Sequence, residues 1–306
     1  MRSSITNKNN SILIKKINTK EIADKWKKQY SIKLSDEFLN IKTLKYWHCR
    51  DTGFYWYTPE KAAGKSNLYE QLQKYIWYYQ KDKWEYHQAL NLISDKNIKI
   101  LEIGSGAGFF LKMLKKKGFS PEGVEMNRES IKKLKNLGFK IHDKEIHQLK
   151  KKNNYDIIFS FQVLEHIPNP KNFIKHIIKL LKPGGKLVFA VPNSKVMRKI
   201  DPCNETLLNN PPHHMGHWDK DVFEACTKFF PLKIKSFYYE PLASYHVQWF
   251  LINYLRNFLS PLGKILPKII INLYSTLPLQ LLLKLGLRKY FKGHTLMVEF
   301  EYIKSK

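Results

Sequence analysis

The chain has 306 residues, and 53 Lys or Arg against 26 Asp or Glu give it a formal net charge of +27. Only six of those cations are Arg (Arg2, Arg50, Arg128, Arg198, Arg256 and Arg288). Forked recognition of phosphate favours Arg, so nucleic acid is an admissible but not a favoured partner, and an anionic membrane surface suits the charge as well. A hydrophobic fraction of 43% with 14% aromatics excludes disorder throughout and is enough for a sizeable core.

Residues 1–45 are polar and basic, with one helix predicted where Ile22, Trp26 and Tyr30 recur at i, i+4, and they read as a surface appendage. The first residues hold no apolar run beyond Ile12–Ile14, so no secretory signal is expected. Residues 46–95 read as a cap. Aromatics alternating around Thr52-Gly53 predict a hairpin, then a helical face carries Leu68, Leu72, Ile76 and Tyr79, and Tyr86, Leu90 and Ile93 continue it after a break near Lys81-Asp82. Residues 96–241 form the expected core. From Asn97 to Val191 short β-branched runs alternate with helical patterns, which predicts βαβ units, a mostly parallel sheet and helices on both faces. Residues 192–218 read as loop, Asp219 opens a helix, and LKIKSFYYE is a strand. An apolar, basic helical insertion at 242–292 precedes a last strand, TLMVEFEY, within 293–306.

Cys49, Cys203 and Cys226 have neither an even count nor metal-like spacing, which argues for a reducing cytoplasm. The longest uncharged apolar stretch, Ile269–Leu283, contains Pro278 and is short for a membrane span.

The strongest motif is Ile100-Leu101-Glu102-Ile103-Gly104-Ser105-Gly106-Ala107-Gly108, a strand running into a glycine turn where backbone can approach a ligand and the next helix offers free N–H groups. Glu125, followed by Met126, closes the second strand, where an acid can accept hydrogen bonds from both hydroxyls of a ribose. Phe161, Gln162 and Val163 lie at the carboxyl end of the fourth strand, where ligands of open α/β sheets sit. Together with Leu181-Lys182-Pro183-Gly184-Gly185 these elements resemble the class I S-adenosylmethionine (SAM) dependent methyltransferases, whose motif I has an acid before the glycines. The resemblance implies a Rossmann-like seven-stranded sheet and SAM as cofactor, held by Glu102, Gly104, Ser105, Gly106, Gly108, Glu125, Met126 and residues 161–163. It also implies an acid near the adenine at Asp143, or at Glu145. The cap region is similar to bacterial methyltransferases of glycan and small-molecule biosynthesis (type 11/23), without the cysteine pair of a zinc-knuckle version, since Cys49 is followed three residues later by Thr52.

His166 follows Glu165 after the fourth strand, and the loop after the fifth carries Pro211-Pro212-His213-His214-Met215-Gly216-His217. Histidine can take a hydroxyl proton near neutral pH, so His213, His214 and His166 are the candidate bases for O-methylation of a glycan, lipid-linked or small-molecule hydroxyl. Which of them is the base stays open. No metal is expected: His213, His214 and His217 lack a partnering Cys or acid. Gln162 also stands where the similar ubiquinone-pathway O-methyltransferases have a metal-holding Glu. A nucleic-acid methyltransferase lacks its Asp/Asn-Pro-Pro-aromatic motif here, Cys203 reads as a loop thiol, and a non-catalytic SAM-binding module is a third reading. In the insertion, Leu and Ile are interleaved with Lys264, Lys268, Lys284, Arg288, Lys289 and Lys292. It could be a lid, a dimer contact or a dock on an anionic membrane, so the expected location is cytoplasmic or peripheral on the inner face of the membrane.

Overall fold

The computed structural model describes residues 1–304 apart from Ser35, Lys151 and Lys264, so that last cation of the insertion lies outside the described residues. Eleven strands are described: β1 (Ser11–Asn18), β2 (Thr43–Cys49), β3 (Tyr55–Thr58), β4 (Ile100–Ile103), β5 (Glu122–Val124), β6 (Lys140–His142), β7 (Tyr155–Phe161), β8 (Leu181–Pro192), β9 (Gly216–His217), β10 (Leu232–Pro241) and β11 (Lys292–Tyr302). Seven of them form one sheet in the order β10-β11-β8-β7-β4-β5-β6. The five from β8 to β6 are parallel, and β11 pairs antiparallel with both β8 and β10. The α/β expectation holds for a physical reason. Ile100 to Ile103 are buried on both faces, as a central parallel strand must be. Flanking helices are amphipathic: in Pro170–Leu180, Phe173, Ile174, Ile177 and Ile178 turn to the sheet, and Asn169 caps the start by accepting from the Asn172 N–H. The chain reverses its direction of growth between β4 and β7, and their carboxyl ends open the crevice in which such sheets hold ligands.

Residues 1–45 are not an appendage. β1 pairs antiparallel with β2 from Ser11↔Cys49 to Asn18↔Thr43, and β1, β2, β3 and β9 form a second sheet. The helix Thr19–Tyr30 buries Ile22 and Trp26 against Leu68, Leu72 and Leu207. A lone amphipathic helix has nowhere to place Trp26, and the cap supplies the missing apolar surface. The long helical face expected in the cap is also interrupted. A helix spans Ser66–Leu72 only, residues 73–83 turn irregularly, and Ile76 is exposed. Tyr75 and Tyr78 fold back onto the Trp26 cluster instead.

The insertion is helical at Val247–Phe258, Leu266–Ile270 and Leu277–Lys284. Val247, Phe250, Leu251 and Leu283 pack on Ile200 and Leu242. The other face is apolar and exposed, with Ile265, Ile269, Leu285 and Tyr290 in solvent. Among the described residues no helix is long and apolar enough to cross a membrane.

Candidate active site

At the end of β4 the chain turns through Gly104, Gly106 and Gly108 with φ of +77°, +50° and +71°, a region that side-chain-bearing residues rarely adopt. Space demands glycine as well: a Cβ on Gly104 would lie 2.3 Å from Val163 Cγ2, and one on Gly108 would lie 2.2 Å from Leu134 Cδ2. Glu125 locks this turn. Its Oε2 accepts from the Gly106 N–H at 2.5 Å, while Oε1 accepts from the N–H groups of Met126 and Asn127 at 2.8 Å each. Under the turn, Glu102 is buried with Oε2 unpartnered, and burial, aided by the Glu125 charge, pushes its carboxyl well above the usual carboxylate range. A ligand with a positive centre and vicinal hydroxyls answers both acids. The ammonium, sulfonium and ribose of SAM are such groups, so the residues fit that cofactor.

A cavity of about 1860 Å³ runs from this turn across the carboxyl ends of the strands. Single-ligand pockets hold about 300–1,000 Å³, so there is room for a cofactor and an acceptor together. Ser105, Gly106, Glu125, Met126, Phe161, Gln162 and Val163 line it. Asp143 does not: its carboxylate is exposed and held by Lys135 at 2.9 Å, which keeps it below the usual range, whereas Glu145 is at the cavity wall. Gln162 has φ +55° and donates from Nε2 to Glu85 Oε1 at 3.2 Å, tying the cap to the end of β7.

At the far end, the loop before β9 is anchored on the small sheet. Asn210 Oδ1 accepts from Tyr57 Oη–H at 2.6 Å, and the Gly64 N–H donates to the Pro212 carbonyl at 2.7 Å. This brings His213 and His214 against His166, with ring centroids 4.5 to 5.0 Å apart. Burial holds all three imidazoles neutral, His166 at about 4 and the other two well below the usual value. Beside them Glu165 is buried and pushed up to about 8. His217 is not part of this cluster. Its Nδ1 meets Tyr46 Oη at 2.7 Å and its Nε2 the Asn209 carbonyl at 2.8 Å, so both nitrogens are used in holding the loop.

The sequence reading missed Tyr69, Tyr78 and Glu85. Tyr78 Oη lies 3.1 Å from His213 Nε2, and the Tyr69 ring packs edge-on to His166 at 5.6 Å. The aromatic density of Tyr75-Ile76-Trp77-Tyr78-Tyr79 was the available signal.

Residues 76–258 match the family model described as a methyltransferase domain, which is more than half of the chain. The chain belongs to that family. Its motifs place it among the class I SAM-dependent methyltransferases, whose cofactor the residues of the glycine turn fit. Curated relatives of this methyltransferase include the ubiquinone biosynthesis O-methyltransferase of Coxiella burnetii (strain Dugway 5J108-111), 35% identical over 109 residues, which are 33% of this chain and 46% of the relative. The enzyme of the same name from Vibrio parahaemolyticus is 28% identical over 109 residues, 32% of this chain and 45% of that one. The chain thus spans less than half the length of these relatives. Among solved structures, a SAM-dependent methyltransferase from Mesorhizobium loti is 13% identical at a TM-score of 0.46, covering 72% of this chain and 100% of that one.

Proposed function

We propose that this methyltransferase methylates a hydroxyl oxygen of a glycan, lipid-linked or small-molecule acceptor, with His214 as the first candidate for the base. The observation that carries this reading is a cluster of buried, neutral imidazoles in the same cavity as the glycine turn. SAM, when bound, supplies an electrophilic methyl on its sulfonium, whose C–S bond breaks as the acceptor's C–O bond forms. Gly104, Gly106, Gly108, Glu102 and Glu125 would hold it. His214 has Nδ1 3.3 Å from Asn209 Oδ1. With the Nδ1–H donating there, the lone pair is on Nε2, which can take the hydroxyl proton. The curated relatives are O-methyltransferases by name, which agrees with an oxygen acceptor. His214→Ala should lower turnover by roughly 10²–10⁴ while SAM binding survives. Full turnover in that variant, and in His213→Ala and His166→Ala, would remove the cluster from the chemistry.

The insertion supports an acceptor presented at a membrane surface. Trp249, Arg288 and Lys289 line the same cavity, and the exposed apolar face beside it carries Leu266, Ile269 and Leu285. Between Glu240 and Glu299 the sequence has no acid, so no acid within the insertion offsets its cations. Each Lys or Arg near an anionic bilayer is worth about 1 kcal/mol. Co-sedimentation with vesicles containing phosphatidylserine should fall with salt and on deleting residues 262–290. A folded protein that ignores the vesicles would leave the insertion as a lid.

A further inference from the structure

The histidine cluster has the construction of a metal site, and its ligand set is not the one the sequence offered. His166, from the turn after β7, meets His213 and His214, from the loop before β9, and each offers a ring nitrogen such that the three lie within 4.8 Å of one another. The Nδ1 of each ring lies against an oxygen. His166 Nδ1 lies 2.5 Å from the His213 carbonyl, His213 Nδ1 lies 2.8 Å from the Leu208 carbonyl, and His214 Nδ1 lies 3.3 Å from Asn209 Oδ1. An Nδ1–H donated to oxygen leaves the lone pair on Nε2 and fixes the ring's orientation, which is how proteins prepare histidines that bind metal. Packing alone would explain stacked rings but does not require Nδ1 of all three to lie against an oxygen, and His166 also meets the Gln162 backbone.

A second observation points to a cation. Glu165 is 2% exposed, its Oε1 lies 3.8 Å from His166 Nε2, and its Oε2 has no hydrogen-bond partner. A buried carboxylate oxygen left without a donor is costly, and an ion held by the adjacent imidazoles would satisfy it. His213 Nε2 would exchange its contact with Tyr78 Oη, 3.1 Å away, for the ion. The Gln162 side chain takes no part, since it is bonded to Glu85, and both nitrogens of His217 are used by Tyr46 and Asn209.

We propose that His166, His213 and His214 bind a divalent transition-metal ion of the zinc class, with Glu165 beside it and one coordination position open to the cavity. Three protein ligands plus an open position is the pattern of reactive rather than purely structural zinc sites, and all-imidazole sets select zinc, copper, nickel or iron over magnesium. Bonds of about 2.0–2.1 Å put tetrahedral nitrogens about 3.4 Å apart, so the rings need to close by roughly 1 Å. The ion would occupy the Nε2 lone pairs that otherwise serve as bases, so in the metal-loaded protein an acceptor hydroxyl at the open position would be acidified by the ion and lose its proton to solvent rather than to His214. Metal binding itself stands whichever acceptor atom is methylated.

The test uses the full-length protein, stripped with EDTA and titrated with Zn²⁺ by calorimetry and with Co²⁺ by visible absorption. One equivalent of Zn²⁺ and the intense Co²⁺ bands of a tetrahedral site are expected. In His213→Asn and His214→Asn the amide nitrogen can keep the Nδ1–H hydrogen bond while Nε2 is lost. Both should lower Zn²⁺ affinity by at least about 100-fold, since outer-shell changes alone shift it 10–100-fold. The double variant His147→Ala/His176→Ala, a pair elsewhere on the cavity wall with rings 6.0 Å apart, should bind Zn²⁺ like the wild type. No stoichiometric Zn²⁺ on the wild type, or unchanged affinity in both Asn variants, overturns the site. Should the Asn variants fail to fold, the wild-type Co²⁺ spectrum decides, and an octahedral pattern overturns it. Parallel titration with SAM separates this from the methyltransferase reading. Zinc bound without SAM would count against the cofactor site, and SAM bound without zinc against the metal site.

Discussion

At the cofactor end of the cavity a ligand meets mostly backbone, delivered by one βαβ unit: the Gly104–Gly108 turn and the N–H groups that Glu125 gathers. At the acceptor end it meets side chains from separate parts of the chain, Tyr69 and Tyr78 from the cap, His166 from the turn after β7, His213 and His214 from the loop before β9, and His294 from β11. The two ends place different demands on sequence. A backbone cradle can be specified by glycines at short spacing, because what it needs is φ and the absence of Cβ atoms. A side-chain cluster can be assembled from any segments that the fold brings together, so it leaves no local pattern. The cofactor end is also where a substitution is felt through backbone geometry, and the acceptor end where it is felt through hydrogen bonding and protonation.

The largest effect is expected from Gly104→Ala. A left-handed φ costs a non-glycine residue about 1–2 kcal/mol, and the overlap with Val163 adds about 1–3 kcal/mol of overpacking. Urea unfolding should show a loss of about 2–5 kcal/mol together with weaker SAM binding. A loss below about 0.5 kcal/mol would mean that the turn is not the rigid cradle described.

The acceptor end can be probed by acid. His294 lines the cavity, and burial, with His246 nearby, holds it at about 4, below its unfolded value of 6.5. Between those values the unfolded chain binds a proton there that the folded chain refuses. This histidine therefore costs no stability above pH 6.5 and progressively destabilises the fold as pH falls toward 4, by up to about 1.4 kcal/mol per pH unit. Glu165, raised to about 8, works in the opposite sense over part of that window, so the difference between two chains is the useful measurement. His294→Asn should have a shallower loss of stability between pH 6.5 and 4 than the wild type. Parallel pH–stability curves would show that His294 titrates normally.

The smallest expected change is Tyr78→Phe, which removes one hydrogen bond to His213 Nε2. A net loss of about 0.5–1.5 kcal/mol in stability is expected, with SAM affinity unchanged. Weaker SAM binding in this variant would show that the two ends are not separately built.

Residue spacing alone determined the parallel sheet, the glycine turn and the acid at Glu125. These follow from local rules: β-branched runs buried on both faces, helical periodicity between them, and backbone conformations open only to glycine. Asp143 could not be told from Glu145 in this way, because both follow β6 and only the path of the chain decides which one reaches the cavity and which pairs with Lys135. Residues 1–45 looked peripheral because β1 and Trp26 find their partners far along the chain, in β2, Leu68, Leu72 and Leu207. The sequence offered His166, His213 and His214 as candidate bases, but as a possible metal set spacing grouped His213 and His214 with His217. Tertiary structure grouped them with His166, because β9 pairs with β3 and turns His217 toward Tyr46 and the Asn209 carbonyl. Strand pairing between distant segments sets where a side chain points, and no local periodicity encodes it.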